Sequence, residues 1–170
     1  MRLCLVRHGI AVERGLPGFA DDASRPLTPG GRERMREAAT GLRLLVPEGV
    51  LLTSPLVRAR QTAEILQEAF ALPGIRVCEA LASGDHEALF ADADATGAEI
   101  VFAVGHEPYM SEALALALTG DAAGMSAVFK KGAAALVNFH GPAGPGRGEL
   151  EWLMQPAALR AIGSQHPGGI

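Results

Sequence analysis

Short runs of β-branched or leucine-rich sequence alternate with segments of helical periodicity along this chain, and this alternation restricts the fold more than any other feature. The alternation is typical of an α/β protein. The last two runs flank a Gly/Pro-rich turn at 141–148, which predicts an antiparallel hairpin at one side of the sheet. The predicted strands are residues 3–6, 50–53, 75–78, 99–104, 134–139 and 149–154.

Proline marks the start of two predicted helices. Thr28 and Pro29 supply an N-cap and a proline at the first helical position. Ser54 and Pro55 form a similar pair directly after the second predicted strand. Apolar residues recur at helical spacing behind both pairs, and again before Gly120. The predicted helices are residues 29–46, 55–70 and 109–118.

Length and charge narrow the classes of function. A chain of 170 residues can bury its own core, so we expect a single domain over 1–170 with a frayed end at 164–170. The net charge of −4 argues against nonspecific binding to nucleic acid or to an anionic membrane. No apolar stretch approaches the ~20 residues that span a bilayer. We therefore expect a cytoplasmic protein in which Cys4 and Cys78, both within apolar runs, are buried and reduced.

Charged and histidine side chains follow the predicted strands at the points where the strands end. Open α/β sheets bind their ligands at the carboxyl ends of the strands, so these side chains are expected to share one site. Two arginines, two histidines and two carboxylates are involved. In chain order they are Arg7, His8, Arg58, Glu79, His106 and Glu107.

This set of residues suggests phosphoryl transfer through a covalent intermediate. The transferred group carries negative charge on its equatorial oxygens, which the planar guanidinium groups of Arg7 and Arg58 are suited to bind. His8 is the candidate nucleophile, because a neutral imidazole can attack phosphorus directly. His106 would be a second donor to the phosphoryl oxygens, most effective when protonated. The general acid for an alkoxide leaving group would be Glu79 or Glu107, and the sequence does not choose between them.

Other chemistries lack their usual motifs. No two histidines and no two cysteines have the spacing of a zinc site, so we predict no metal. A Gly-rich loop followed by Lys-Ser/Thr and a Gly-x-Ser-x-Gly elbow are both missing from the sequence. Four arginines, Arg32, Arg34, Arg36 and Arg43, are interpreted as helix-surface residues, and Lys130 and Lys131 as a solvated pair before a strand.

Several segments resemble the histidine phosphatase (phosphoglycerate mutase-like) superfamily, and they occur in the family's order. The resemblance extends from residue 1 to about 159, and the short chain is most similar to the SixA branch, the phosphohistidine phosphatases. The matching segments are LVRHG at 5–9, RPLT at 25–28, SPLVRARQTA at 54–63 and VGHEP at 104–108.

The resemblance implies a three-layer α/β/α sandwich with a mostly parallel central sheet and no metal or other cofactor. It implies that His8 is transiently phosphorylated and that Arg7, Arg58 and His106 form the phosphate pocket. Arg25 resembles a loop residue near the pocket mouth that contacts substrate. Superfamily members take their acid either after the third strand or after the second histidine, which leaves both glutamates as candidates.

Three functions follow as hypotheses. The first is a phosphatase acting on phosphohistidine in a partner protein, since the chain is too short for the insertions with which mutases enclose a sugar phosphate. The second keeps the same chemistry but takes a small phosphomonoester as substrate. The third is a module that binds a phosphorylated protein without turning it over.

Overall fold

The structure, a computed structural model that describes residues 1–19 and 21–165, is built around a six-stranded sheet in the order β3-β2-β4-β1-β5-β6. Parallel pairing joins β3, β2, β4 and β1, while β5 runs antiparallel to both β1 and β6. The predicted terminal hairpin is therefore confirmed. The strands are β1 (Arg2–Arg7), β2 (Val50–Thr53), β3 (Ile75–Val77), β4 (Ile100–Gly105), β5 (Ala134–Phe139) and β6 (Gly148–Met154).

Helices cover both faces of this sheet. Residues of α1, α2 and α6 pack into one core cluster, and residues of α3, α4 and α5 pack into the cluster on the opposite face. The three-layer α/β/α architecture implied by the resemblance is confirmed. The helices are α1 (Pro29–Arg43), α2 (Val57–Phe70), α3 (Ala80–Ser83), α4 (His86–Asp94), α5 (Tyr109–Thr119) and α6 (Pro156–Ser164).

Strand β1 lies between β4 and β5, and its side chains alternate between the two core clusters. Cys4 and Val6 face one cluster, Leu3 and Leu5 face the other, and all four are fully buried. Each fully buried leucine contributes roughly 1.5–3 kcal/mol relative to an exposed one, which fixes the register of the strand. Cys4 is a buried free thiol, and so is Cys78, as the sequence predicts.

The start of α1 is confirmed, whereas the predicted start of α2 is wrong. Thr28 caps α1, its hydroxyl accepting the Gly31 N–H at 2.9 Å, but the helix ends at Arg43 rather than near residue 46. Helix α2 begins at Val57 instead of Pro55. The reason is that the Ser54 N–H donates to the Val104 carbonyl and continues the sheet, so the chain turns into the helix later.

The C-terminal part of the described chain forms a helix that the sequence does not predict. Helix α6 extends to Ser164, and residues 166–170 of the predicted frayed end lie outside the described residues. Gly41 of α1 and Gly163 of α6 let the two helices approach closely, since a Cβ on Gly41 would collide with the Leu159 carbonyl. No helix in the described part of the chain is long and apolar enough to cross a membrane.

Candidate active site

His8 is held in one tautomer at the carboxyl end of β1. Its Nδ1 lies 2.7 Å from the Gly9 carbonyl oxygen. A carbonyl can only accept, so Nδ1 carries the proton and Nε2 keeps its lone pair. The side chain is buried, with 6% of the residue exposed, and Nε2 accepts the Arg58 Nε–H at 3.3 Å. The arrangement presents a neutral imidazole with its nucleophilic nitrogen toward a guanidinium.

Arg58 stands on the first turn of α2 and is 5% exposed. Besides its contact with His8, Nη1 donates to the Asp22 backbone carbonyl at 2.8 Å and Nη2 donates to Oδ2 of the same residue at 3.1 Å. All three guanidinium nitrogens are therefore oriented by hydrogen bonds. Such a fork is the geometry with which arginine binds planar or tetrahedral oxyanions.

His106 faces His8 from the end of β4. The two ring centroids are 5.1 Å apart, and His106 Nε2 lies 2.8 Å from the Ser54 hydroxyl oxygen. Ser54 itself is fully buried at the end of β2. Three neighbouring strands, β1, β4 and β2, thus deliver side chains to one point, as the positions of the strand ends predict.

Two buried polar atoms of this site lack a partner. Arg7 donates through Nη1 to the Phe129 carbonyl, but its Nε has no hydrogen-bond partner, and neither does Nδ1 of His106. Across residues 1–19 and 21–165, no other buried side-chain nitrogen or oxygen lacks a hydrogen-bond partner. Buried polar groups are almost always paired, so the two unpaired nitrogens beside Arg58 and His8 are candidates to contact a ligand.

Asp22 belongs to the site although no motif in the sequence marks it. Its carboxylate pairs with Arg14 at 3.0 Å, Arg25 at 2.8 Å and Arg58 at 3.1 Å. Burial alone would raise the pKa of Asp22, but hydrogen bonds and charges from these arginines lower it to about 2. Arg25 also donates to the Val12 carbonyl at 2.6 Å, so it braces the loop around Asp22. Its predicted contact with substrate stays a prediction.

Thr62 of α2, within the segment 54–63, links the loop that follows His8 to the first turn of α2. Its hydroxyl accepts the Gly9 N–H at 3.1 Å and donates to the Arg58 carbonyl at 2.7 Å. Thr62 is fully buried, so both bonds are shielded from water. The threonine therefore fixes the distance between His8 and Arg58.

The sequence model of the histidine phosphatase superfamily (branch 1) matches residues 3–99, more than half of the chain. This chain belongs to the histidine phosphatase superfamily. Membership implies a phosphatase of the hydrolase class.

Three proteins illustrate where this histidine phosphatase stands among its relatives. An uncharacterised protein of Picosynechococcus sp. is 42% identical over 130 residues, which cover 71% of this chain and 76% of that protein. The structure of the protein histidine phosphatase SixA complexed with tungstate has a TM-score of 0.79 at 29% identity, over 94% of this chain and 99% of that one. The α-ribazole phosphatase of Shigella flexneri shares the fold, with a TM-score of 0.73 at 18% identity over 90% and 96% of the two chains. The chain is therefore a SixA-like member of the superfamily.

Both histidines of this histidine phosphatase are neutral at pH 7. Burial lowers the pKa of His8, the hydrogen bond to the Gly9 carbonyl opposes this, the charges of His106, Arg58 and Arg7 add to it, and the pKa falls to about 3. Burial and then the charge of Arg58 lower the pKa of His106 to about 4. The sequence-based interpretation had His106 acting in its protonated form. Here the His106 imidazole is neutral in the unliganded pocket, and a bound anion would raise its pKa.

The depressed histidine pKa values predict a loss of stability in mild acid. Below pH 6.5 the unfolded chain protonates both histidines while the folded chain does not, so the free energy of unfolding falls as the pH drops. Each histidine should remove about 2 kcal/mol between pH 7.5 and pH 5. Urea unfolding at both pH values should show His8→Ala losing about 2 kcal/mol less than the wild type.

The exposed His140 provides the control for that experiment. It pairs with Glu149 at the surface and is more than two-thirds exposed, so His140→Ala should keep the wild-type loss. An equal loss in the wild type and His8→Ala would show that His8 is not held neutral by the fold.

The two candidate acids occupy different environments. Glu107 is half-buried, its Oε2 accepts the N–H and hydroxyl of Ser111 at 3.1 and 2.9 Å, and its charge acts on Arg7. Glu79 is exposed just before α3, and its side chain makes no capping hydrogen bond. Of the two candidate acids, Glu107 is therefore the one whose charge acts on an arginine of the pocket. Across residues 1–19 and 21–165, no three His, Cys, Asp or Glu side chains are grouped to hold a metal ion.

Proposed function

We propose that this chain is a phosphatase that forms a covalent phosphohistidine on His8 and acts on phosphohistidine in a partner protein. The observation that carries the proposal is the fixed tautomer of His8, whose Nε2 lone pair meets Arg58 inside a buried, cationic pocket. The similar SixA structure is complexed with tungstate, a tetrahedral oxyanion. The orphaned nitrogens of Arg7 and His106 are suited to bind such a group here.

In the first step His8 Nε2 attacks phosphorus. The P–Nε2 bond forms while the bond between phosphorus and the substrate nitrogen breaks, and the departing imidazole takes up a proton. Arg7, Arg58 and His106 bind the equatorial oxygens, where negative charge collects. The phosphorylated His8 ring becomes cationic, and its Nδ1–H bond to the Gly9 carbonyl stabilises that charge.

In the second step water attacks the phosphoryl group and the P–Nε2 bond breaks. The electron pair returns to His8, and inorganic phosphate leaves. We assign the proton transfers to Glu107, which receives a proton from the attacking water and gives it to the leaving group of the next substrate. A phosphohistidine leaving group needs less assistance than an alkoxide, which agrees with a carboxylate at the margin of the pocket.

The test is a comparison of phosphate release from a phosphohistidine peptide and from an aryl phosphate. We expect kcat/KM to be at least about tenfold higher for the peptide. A preference for the aryl phosphate would assign a small-molecule phosphomonoesterase instead. Tight binding of the peptide without phosphate release would assign a binding module.

A further inference from the structure

A groove of about 550 Å³ adjoins the phosphate pocket and shares Arg7 with it. It is bounded by α1, by the start of α6 and by residues 130–132. Besides Arg7, its cationic lining consists of Arg34, Lys130, Lys131 and Arg160. Of the described residues that line the groove, none is acidic. This concentration of positive charge contrasts with the net charge of −4 of the whole chain.

The groove also has an apolar lining of small and aliphatic side chains. They come from the loop after β1, from α1 and from the start of α6, namely Ile10, Met35, Ala38, Pro156 and Ala157. An apolar centre with a charged rim is the usual anatomy of a protein–protein contact. The groove therefore offers both buried area and electrostatic attraction to a partner.

The cations at the rim are not committed to other contacts. Arg34, Lys130 and Lys131 are exposed, and within the described chain their side chains form no hydrogen bond or ion pair. Arg160 is the exception, with Nε 3.4 Å from a Glu37 carboxylate oxygen. A small-molecule subsite uses a few buried, fixed polar groups, whereas exposed lysines act as mobile point charges. The rim is thus suited to a macromolecular partner.

We propose that this groove binds an acidic, partly apolar segment of the protein substrate next to its phosphohistidine. The inference rests on the function proposed above and adds the feature by which the enzyme selects its substrate. The groove shares Arg7 and Gly9 with the active site, so a segment seated in it directs its phosphorylated side chain toward His8. Local positive charge also offsets the repulsion between an acidic partner and this acidic enzyme.

The test uses two synthetic peptides that carry one phosphohistidine each, flanked by four glutamates in one and by four glutamines in the other. At 20 mM salt the wild type should hydrolyse the glutamate peptide with a kcat/KM about tenfold higher or more, through a lower KM. The preference should shrink at 500 mM salt, because the shorter Debye length screens the exposed cations of the groove. The double variant Arg34→Glu/Lys131→Glu should lose the preference and keep its kcat on an aryl phosphate.

Arg36→Glu is the matched control, since Arg36 is an exposed arginine of α1 that does not line the groove. It should retain the preference for the glutamate peptide. Equal kcat/KM for the two peptides in the wild type, or an unchanged preference in the double variant, would overturn the role of the groove while leaving the phosphohistidine phosphatase in place. Hydrolysis of the aryl phosphate with no turnover of either peptide would overturn the proposed function and, with it, this inference.

Discussion

Replacement of His8 by alanine is expected to lower kcat for phosphate release by at least about 10⁴-fold, since no phosphoenzyme can form. His8 is the buried histidine whose Nε2 lone pair faces Arg58. Among the described histidines, only His106 is buried to a similar extent. Rapid quench of the wild type with a phosphohistidine peptide should trap a phosphoryl group on the protein. The same quench of His8→Ala should trap none.

A second histidine variant separates loss of the nucleophile from loss of stability. His86 is largely buried, and its Nε2 lies 3.2 Å from a Glu112 carboxylate oxygen rather than against Arg58. His86→Ala should therefore keep its activity, and both variants should show the near-UV circular dichroism of the wild type. Undiminished turnover in His8→Ala would contradict the covalent mechanism.

Replacement of Arg58 by alanine is expected to lower kcat/KM on the order of a hundredfold or more. The guanidinium holds His8 Nε2 and is expected to bind the phosphoryl oxygens as their charge grows. It also holds the loop through both the backbone and the side chain of Asp22. Steady-state kinetics should show the loss mainly in kcat, since the interaction strengthens in the transition state.

Arg60 provides the comparison for Arg58, because it lies two positions further along α2 and is exposed. Arg60→Ala should change kcat/KM by less than about twofold. Arg58→Lys should recover only part of the activity, since a lysine cannot form the planar fork. A full recovery with lysine would show that charge alone is needed at this position.

The arrangement of Arg7, His8, Arg58 and His106 could be predicted because it follows from topology. Each residue stands at or just beyond the end of a strand with strong apolar patterning, and parallel strands bring those ends to one edge. Asp22 could not be predicted in the same way. Its partners are fixed by the path of a loop, and a loop of glycines, prolines and charges carries no periodicity from which its path can be inferred.

Three helices, α3, α4 and α6, are absent from the sequence-based prediction, and the first two have a similar explanation. Helix α3 is a single turn, and α4 has apolar residues spread around it rather than along one stripe. Their positions depend on packing against the sheet and α5, which local pattern does not record. The groove was missed for the same reason, because Arg34 and Lys131 are distant in sequence and meet only when α1 and the segment before β5 are in place.

The central position of β1 determines when the enzyme can become active during its synthesis. Arg7 is in register with Gly105 on one side, and Val6 is in register with Ala134 on the other. Both partners leave the ribosome long after His8, and such distant pairings form late in folding. A nascent or truncated chain that stops before β5 therefore lacks the strand that pairs with one side of β1 beside His8. Phosphate release from such a chain stays off until nearly the whole sheet has been made.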